Sequence, residues 1–210
     1  MNMSRFADAP RYDDATAARF REQGYWTDDT LETVLAKWSM SEPDRVAVIH
    51  GSERISFGEL HLSSRRMANG LIDLGLRKGD VVAIQMPNIP EFLISYLAIT
   101  GIGAVMSTIH MPYRAAEIEA LLAHNRARAV ICLSEAKDYP AASVMLGLKD
   151  QLPALDHVIA LGEPVGGAES FSDLLAGDDV APLGDPPVAS DPFLLLYTSG
   201  TTAAPKGVPL

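Results

Sequence analysis

The order of apolar and polar residues in the middle of the chain predicts alternating strands and helices. Short apolar runs such as DVVAIQM, AVICL and HVIAL are separated by longer segments in which apolar residues recur at helical spacing. Strands that are apolar on both faces and alternate with helices are typical of a parallel sheet that is covered on both sides. The pattern therefore predicts an α/β fold with a largely parallel sheet and helices on both faces.

The regions around this alternating core have different patterns. Residues 1–44 are polar and predict N-terminal helices, and residues 45–161 begin with a hairpin and continue as the strand and helix core. Residues 162–192 are dense in Gly, Pro and Asp, which indicates an exposed connection that carries one short helix. Residues 193–210 predict a last buried strand followed by a loop.

One uncharged stretch, residues 92–109, approaches the length of about 20 residues that a membrane-spanning helix needs. Gly101 and Gly103 interrupt it, and Ser and Thr residues dilute it. A buried helix, a glycine break and a buried strand explain this stretch better. The N-terminus lacks the apolar core of a secretory signal. We therefore expect a soluble, cytoplasmic protein with no membrane span.

The charge balance argues against a nucleic-acid partner. The chain has 17 Lys and Arg against 27 Asp and Glu, a formal net charge of −10. No stripe of Arg and Lys interrupts this negative field, and such a field repels phosphate backbones. Any anion that the protein binds must therefore be held by local donors.

The single cysteine, Cys132, lies in the apolar run AVICL. One cysteine allows no disulfide within the chain, which suits a reducing compartment. Apolar surroundings raise the pKa of a thiol and make it unreactive. We therefore interpret Cys132 as a buried structural residue and not as a nucleophile.

Other candidate groups carry weaker signals. The five histidines have no paired spacing with Cys or carboxylates that would indicate a metal site. No Gly-x-Ser-x-Gly motif supports a serine hydrolase. Arg114, Arg126 and Arg128 fall on one predicted helix, where a solvated face is the ordinary explanation.

The segment YTSGTTAAPKGVPL at the end of the chain is the strongest candidate for chemistry. It follows a predicted buried strand, and ligands of α/β proteins bind at strand ends. Successive amides, hydroxyls and one ammonium group suit a polyphosphate, and glycines allow backbone angles that other residues resist. The residues concerned are Thr198, Ser199, Gly200, Thr201, Thr202, Lys206 and Gly207.

This segment does not fit the Walker A pattern of ordinary phosphate-loop NTPases. Pro205 stands where the second glycine belongs, and Gly207 stands where a metal-binding Ser or Thr belongs. The residues after Lys206 predict a strand and not a helix, so the loop lacks the contribution of a helix dipole. The segment therefore indicates a strand–loop–strand clamp. A surface turn without a ligand is the alternative that composition alone leaves open.

In its order, LLLYTSGTTAAPKGV resembles the phosphate-loop motif of the adenylate-forming superfamily, Tyr-Thr-Ser-Gly-Thr-Thr-Gly-x-Pro-Lys-Gly-Val. That superfamily comprises acyl- and aryl-CoA synthetases, firefly luciferase and the adenylation domains of peptide synthetases. DRVAVIHGSERISFGEL and LGLRKGDVVAIQMPNIPEFLISYLAITGIGAV resemble earlier blocks of the family, so the resemblance extends over most of the chain. GYWTDDTL and MPNIPEF favour the branch of aryl-acid–AMP ligases and related acyl-CoA synthetases. One departure is Ala203, where the family usually has glycine.

The resemblance implies a reaction in two steps. ATP and a carboxylic acid give an acyl-adenylate and pyrophosphate, with Mg²⁺ neutralising the phosphates. The thiol of CoA, or of a carrier protein, then displaces AMP. The resemblance assigns phosphate binding to the seven residues named above, with Lys206 as a counter-charge and not a general base. It places no catalytic residue and no complete magnesium site in this chain.

In the family, further parts of the active site follow the phosphate loop. They are the adenine-binding segment, a Tyr-Gly-x-Thr-Glu metal site, the ribose-binding aspartate and a C-terminal domain with the adenylation lysine. We therefore expect residues 1–210 to be an incomplete N-terminal AMP-binding domain that lacks the C-terminal domain and ends at a gene-model or expression boundary. Its phosphate loop is expected to be tethered at one end only, and the isolated chain is expected to be inactive. The alternative is a short, non-catalytic binding or interaction module that retains the fold.

Overall fold

The computed structural model of the chain describes residues 12–177, 185–198 and 206–210. Two helices and a separate two-stranded antiparallel hairpin precede the main sheet: α1 (Asp14–Glu22), α2 (Leu31–Ser41), β1 (Val46–His50) and β2 (Glu53–Ser56). The predicted N-terminal helices and the predicted hairpin are therefore present.

From there the described elements alternate as the apolar pattern predicts, with a short 3-10 turn at Lys149–Gln151. In chain order they are α3 (Phe57–Asp73), β3 (Val81–Gln85), α4 (Pro90–Gly101), β4 (Val105–Thr108), α5 (Ala115–Asn125), β5 (Ala129–Leu133), α6 (Ala141–Gly147), β6 (His157–Leu161), β7 (Glu169–Ser170), α7 (Phe171–Ala176), β8 (Leu194–Thr198) and β9 (Lys206–Pro209).

One sheet of seven described strands organises the fold. Its order is β7-β6-β5-β3-β4-β8-β9. The strands from β7 to β8 are parallel to their neighbours, and β9 pairs antiparallel with β8 at the edge. The prediction of a largely parallel α/β sheet is confirmed.

The core has two layers because the central strands are buried on both faces. On β3, Val82 and Ile84 face the layer under α3 and α4, where Phe171 of α7 is also buried. Val81 and Ala83 face the opposite layer, which α5 and α6 cover. Side chains of a strand alternate between its faces, so the continuous apolar run VVAIQ supplies both layers.

The uncharged stretch 92–109 forms the helix, break and strand that its glycines predict. Helix α4 ends at Gly101, and Gly103 has a φ of +71°, a left-handed conformation that favours glycine. Strand β4 then begins at Val105. Within the described ranges, no helix is both long enough and apolar enough to cross a membrane.

The arginines after α5 do not share a solvated helical face, so that prediction is wrong for Arg126 and Arg128. Helix α5 ends at Asn125, and Arg126 adopts a left-handed conformation with a φ of 50°. Arg128 lies at the entry to β5, where its guanidinium is 2.9 Å from Asp80 and 2.6 Å from Asp156. It is therefore a structural ion-pair residue.

The connection between β6 and β8 contributes to the core. Strand β7 extends the sheet beside β6, and the side chain of Phe171 is fully buried. Closer to β8, the ammonium of Lys78 lies 2.8 Å from the carboxylate of Asp191. These contacts fix the approach of the chain to β8, the strand that leads to the candidate site.

Candidate functional site

The candidate site lies where β8 ends and β9 begins. The two strands form an antiparallel pair in which Tyr197 is opposite Gly207 and Thr198 is opposite Lys206. Residues 199–205 run between them and lie outside the described residues. The predicted strands on either side of this segment are therefore present, with β9 and not a helix after it.

Only part of the predicted phosphate-binding set can be placed. The structure describes the backbone of Thr198, the whole of Lys206 and the whole of Gly207. The other members of the set lie outside the described residues: Ser199, Gly200, Thr201 and Thr202. Ala203, which stands where the family usually has glycine, also lies outside them.

Both ends of the 199–205 segment are attached to the sheet. Four residue pairs join β8 to β9, from Leu195 opposite Pro209 to Thr198 opposite Lys206. The expectation that the loop is tethered at one end only is therefore wrong. The expectation failed because Lys206 and the three residues after it are enough to form a strand that pairs with β8.

Gly207 allows a close side-chain approach and does not supply a positive φ. Among the described glycines, those with positive φ do not include Gly207. A Cβ atom at this position would lie 3.1 Å from Cδ1 of Leu195 and 3.5 Å from Cε1 of Tyr197. The expectation that Gly207 supplies an unusual backbone angle is therefore corrected: it allows the side chains of β8 to lie close to β9.

Lys206 is the positively charged side chain that the structure describes at this site. Its side chain is exposed at the first residue of β9, directly across the strand pair from the last residue of β8. The carboxyl ends of the parallel strands meet at this same edge of the sheet, where α/β folds bind ligands. An ammonium on a flexible stem at this edge is suited to follow a phosphate group.

The chain that follows β4 is fixed at the same edge by a buried amide. Gln85, the last residue of β3, donates from Nε2 to the carbonyl oxygens of His110 at 3.0 Å and of Tyr113 at 3.2 Å. These hydrogen bonds hold the backbone that follows β4, the strand that pairs with β8.

Tyr197 connects the site to the helix layer. Its hydroxyl lies 2.8 Å from Nδ1 of His124, near the end of α5, and the two rings meet edge to face with centroids 5.6 Å apart. Burial raises the pKa of Tyr197 to about 12, so the phenol is protonated at neutral pH and serves as a hydrogen-bonding group. No sequence pattern indicates His124, which precedes Tyr197 by 73 residues.

Cys132 takes no part in this site. Its side chain is buried in β5, and burial raises the pKa of its thiol to about 12. The interpretation of a buried structural cysteine is confirmed. In the ranges that the structure describes, no group of three or more His, Cys, Asp and Glu side chains is placed to hold a metal ion.

Comparison with known proteins places this geometry in a family. A family model described as AMP-binding enzyme matches residues 35–210. Triostin synthetase I of Streptomyces triostinicus is 35% identical over 199 residues, which are 93% of this chain and 36% of that protein. Salicyl-AMP ligase / salicyl-S-ArCP synthetase of Mycobacterium tuberculosis is 33% identical over 198 residues, which are 92% of this chain and 35% of that protein.

Solved structures agree with the fold over nearly the whole chain. The apo structure of MbtA from Mycobacterium smegmatis superposes with a TM-score of 0.86 at 29% identity, covering 97% of this chain and 38% of that chain. The anthranilate CoA ligase AuaEII in complex with anthranoyl-AMP gives a TM-score of 0.78 at 25% identity, covering 87% of this chain and 34% of that chain.

The chain spans about a third of the length of the curated relatives it matches. Within that span, the described motif residues on both sides of segment 199–205 lie on β8 and β9, at the edge of the largely parallel sheet. The family model matches most of the residues. The chain belongs to the AMP-binding enzyme family, whose members are adenylate-forming ligases.

Proposed function

We propose that the chain provides the ATP-phosphate-binding part of an enzyme that activates a carboxylic acid as an acyl-adenylate. The thiol of CoA or of a carrier protein is the proposed acceptor of the acyl group. The observation that carries the proposal is the antiparallel pair of Thr198 and Lys206. This pair joins the two ends of a hydroxyl- and glycine-rich segment at the carboxyl edge of the sheet, in a chain of the AMP-binding family.

In the proposed first step, a carboxylate oxygen of the acid attacks the α-phosphorus of ATP. The bond from that phosphorus to the bridging oxygen breaks, and pyrophosphate leaves with the negative charge that develops. Donors that bind this charge more tightly as it develops lower the barrier. The residues proposed to supply such donors, or the space for them, are Thr198, Ser199, Gly200, Thr201, Thr202, Lys206 and Gly207.

In the proposed second step, the sulfur of the acceptor thiol attacks the acyl carbonyl carbon and AMP leaves. ATP and Mg²⁺ are the proposed cofactors, and the metal would neutralise charge on the triphosphate. Magnesium prefers carboxylate oxygens among protein ligands, and the described ranges hold no suitable cluster of acidic side chains. We therefore assign no magnesium ligand in this part of the chain.

The acid is proposed to be an aryl acid, with fatty acids as the next class to test. The named relatives and neighbours include a salicyl-AMP ligase and an anthranilate CoA ligase. A medium-chain fatty-acid–CoA ligase of Escherichia coli is also a relative, at 28% identity over 203 residues. The first of these names a carrier-protein product and the other two name CoA, so both acceptors belong in the screen.

The role of Lys206 is tested by replacing it in the complete protein. We expect Lys206→Ala to slow acid-dependent ATP–pyrophosphate exchange by about 100-fold, because one charge-stabilising donor is lost from the developing leaving group. Lys206→Arg, which keeps the charge, is expected to retain more activity. Lys37→Ala, which removes an exposed lysine from α2, is the matched control. An unchanged rate in Lys206→Ala contradicts the assignment.

A further inference from the structure

The hydrogen bond between Tyr197 and His124 lies directly beside the ends of the candidate loop. Tyr197 immediately precedes Thr198, the residue that pairs with Lys206. Its hydroxyl and Nδ1 of His124 are 2.8 Å apart, an ordinary length for a hydrogen bond between a hydroxyl and a ring nitrogen. This side-chain contact joins the carboxyl end of β8 to α5.

The phenol ring of Tyr197 also lies against β9. The residue opposite it is Gly207, and a Cβ atom there would approach the Tyr197 ring to 3.5 Å at both Cε1 and Cζ. These distances are those of ordinary van der Waals contact, so the ring of Tyr197 lies over Gly207 of the neighbouring strand. From that position, holding the ring also holds β9.

Helix α5, which carries His124, is itself fastened to the sheet. Ile118, Leu121 and Leu122 are buried against the strands. The next residue after His124 is Asn125, whose Nδ2 donates to Oγ of Ser107 on β4 at 3.1 Å in the buried interior. His124 is therefore presented to Tyr197 from a packed element.

The chemistry of the pair suits orientation. In a neutral histidine, the Tyr197 hydroxyl donates to an unprotonated Nδ1, or a protonated Nδ1 donates to the hydroxyl oxygen. Both forms keep the same two atoms in contact. Since burial raises the pKa of Tyr197 to about 12, the hydroxyl keeps its proton and the contact persists.

We propose that His124 is a positioning residue for ATP: through Tyr197 it fixes the paired ends of β8 and β9, and with them Lys206, for contact with the phosphates. The inference rests on the function proposed above. It adds a residue on α5, outside the loop motif, that sets how well the loop ends are placed for the nucleotide.

The test compares Tyr197→Phe, His124→Ala and the double variant with the wild type in the complete protein. The rate of acid-dependent ATP–pyrophosphate exchange is measured at varied ATP concentration and, separately, at varied acid concentration. We expect each single variant to raise the KM for ATP by about five- to tenfold, the size of one lost hydrogen bond, and to leave the KM for the acid unchanged. The double variant is expected to match the single variants, because both remove the same contact.

Conservative and matched controls accompany these variants. His124→Asn places a polar atom near the position of Nδ1 and is expected to recover much of the ATP affinity. Tyr96→Phe removes a phenolic hydroxyl near the start of β8, where its ring lies 6.5 Å from that of Phe193, and is expected to have no effect. His50→Ala, on the hairpin, controls for the loss of a histidine.

A second measurement does not depend on activity. Hydrogen exchange at the amides of residues 206–208 is expected to be faster in Tyr197→Phe and in His124→Ala than in wild type and in Tyr96→Phe. Unchanged exchange in both variants, or additive effects on the KM for ATP in the double variant, overturns the inference. If wild type catalyses no pyrophosphate exchange with any acid, the proposed function fails, and the amide measurement still decides whether His124 holds β9.

Discussion

Gly207 and Tyr197 illustrate how a residue type can be identified from sequence while its reason is not. Gly207 is part of the phosphate-loop motif, and backbone freedom is the usual explanation for a glycine in such a motif. The structure instead places Cδ1 of Leu195 only 3.1 Å from the position of a Cβ atom, with the ring of Tyr197 in ordinary contact at 3.5 Å. That reason depends on which residues lie opposite each other across two strands, and a single sequence does not contain this information.

Cys132 provides a test of burial at the scale of one residue. Because burial raises the pKa of its thiol to about 12, almost no thiolate is present at pH 8, and the thiolate is the reactive form. We expect Cys132 in the folded protein to resist iodoacetamide at pH 8 and to be alkylated after unfolding in urea. Peptide mapping by mass spectrometry reports the modification, with glutathione as a reactive reference. Alkylation of the native protein at the rate of glutathione contradicts the prediction.

At the scale of elements, an ion-pair network joins the amino ends of three neighbouring strands. Asp80 directly precedes β3, Arg128 precedes β5 and Asp156 precedes β6. Arg128 contacts both carboxylates and also donates to the carbonyl oxygen of Gly75 at 3.1 Å. The side chain of Asp80 is only 8% exposed, so this carboxylate depends on its partner for compensation.

Replacing Arg128 tests this network. Arg128→Met keeps much of the apolar stem but leaves the buried Asp80 carboxylate without its guanidinium, and we expect a loss of about 2 kcal/mol in the free energy of unfolding. The value is below that of a fully buried pair because the Arg128 side chain is 32% exposed. Urea unfolding measures the change, with Arg54→Met on the exposed hairpin as the control. Equal midpoints for the two variants contradict the prediction.

The elements themselves were largely predictable, and their arrangement was not. Apolar periodicity marked the core strands and the helices between them because burial follows that period. It carries no information on which strands are neighbours, so the position of β3 between β5 and β4 was not predicted. The end of α5 was missed for a local reason: no glycine follows Asn125, and Arg126 itself takes the left-handed conformation that glycine usually supplies.

The candidate site also has parts that the sequence predicts and parts that only the folded structure shows. The strand on each side of segment 199–205 was predictable because the motif is contiguous in sequence. His124 was not predictable, since only folding brings α5 to the end of β8. The attachment of both loop ends was also missed, because pairing between β8 and β9 depends on the register of strands and not on composition.

At the scale of the whole molecule, the chain corresponds to about a third of its relatives. We expect the 210-residue chain on its own to show no acid-dependent ATP–pyrophosphate exchange, because the family resemblance places the adenine, ribose and metal contacts outside it. The measurement compares the isolated chain with the complete protein under the same conditions, and circular dichroism checks that the isolated chain is folded. Exchange above background by the folded isolated chain contradicts the prediction.

The pairing of Thr198 with Lys206 also has a consequence for the entropy of the seven residues between them. The entropic cost of closing a loop grows only with the logarithm of its length, about 0.6 kcal/mol for each doubling. In this chain the closure belongs to folding, because backbone hydrogen bonds between β8 and β9 join the two ends. Adding a residue or two to the segment would therefore change the stability of the fold very little.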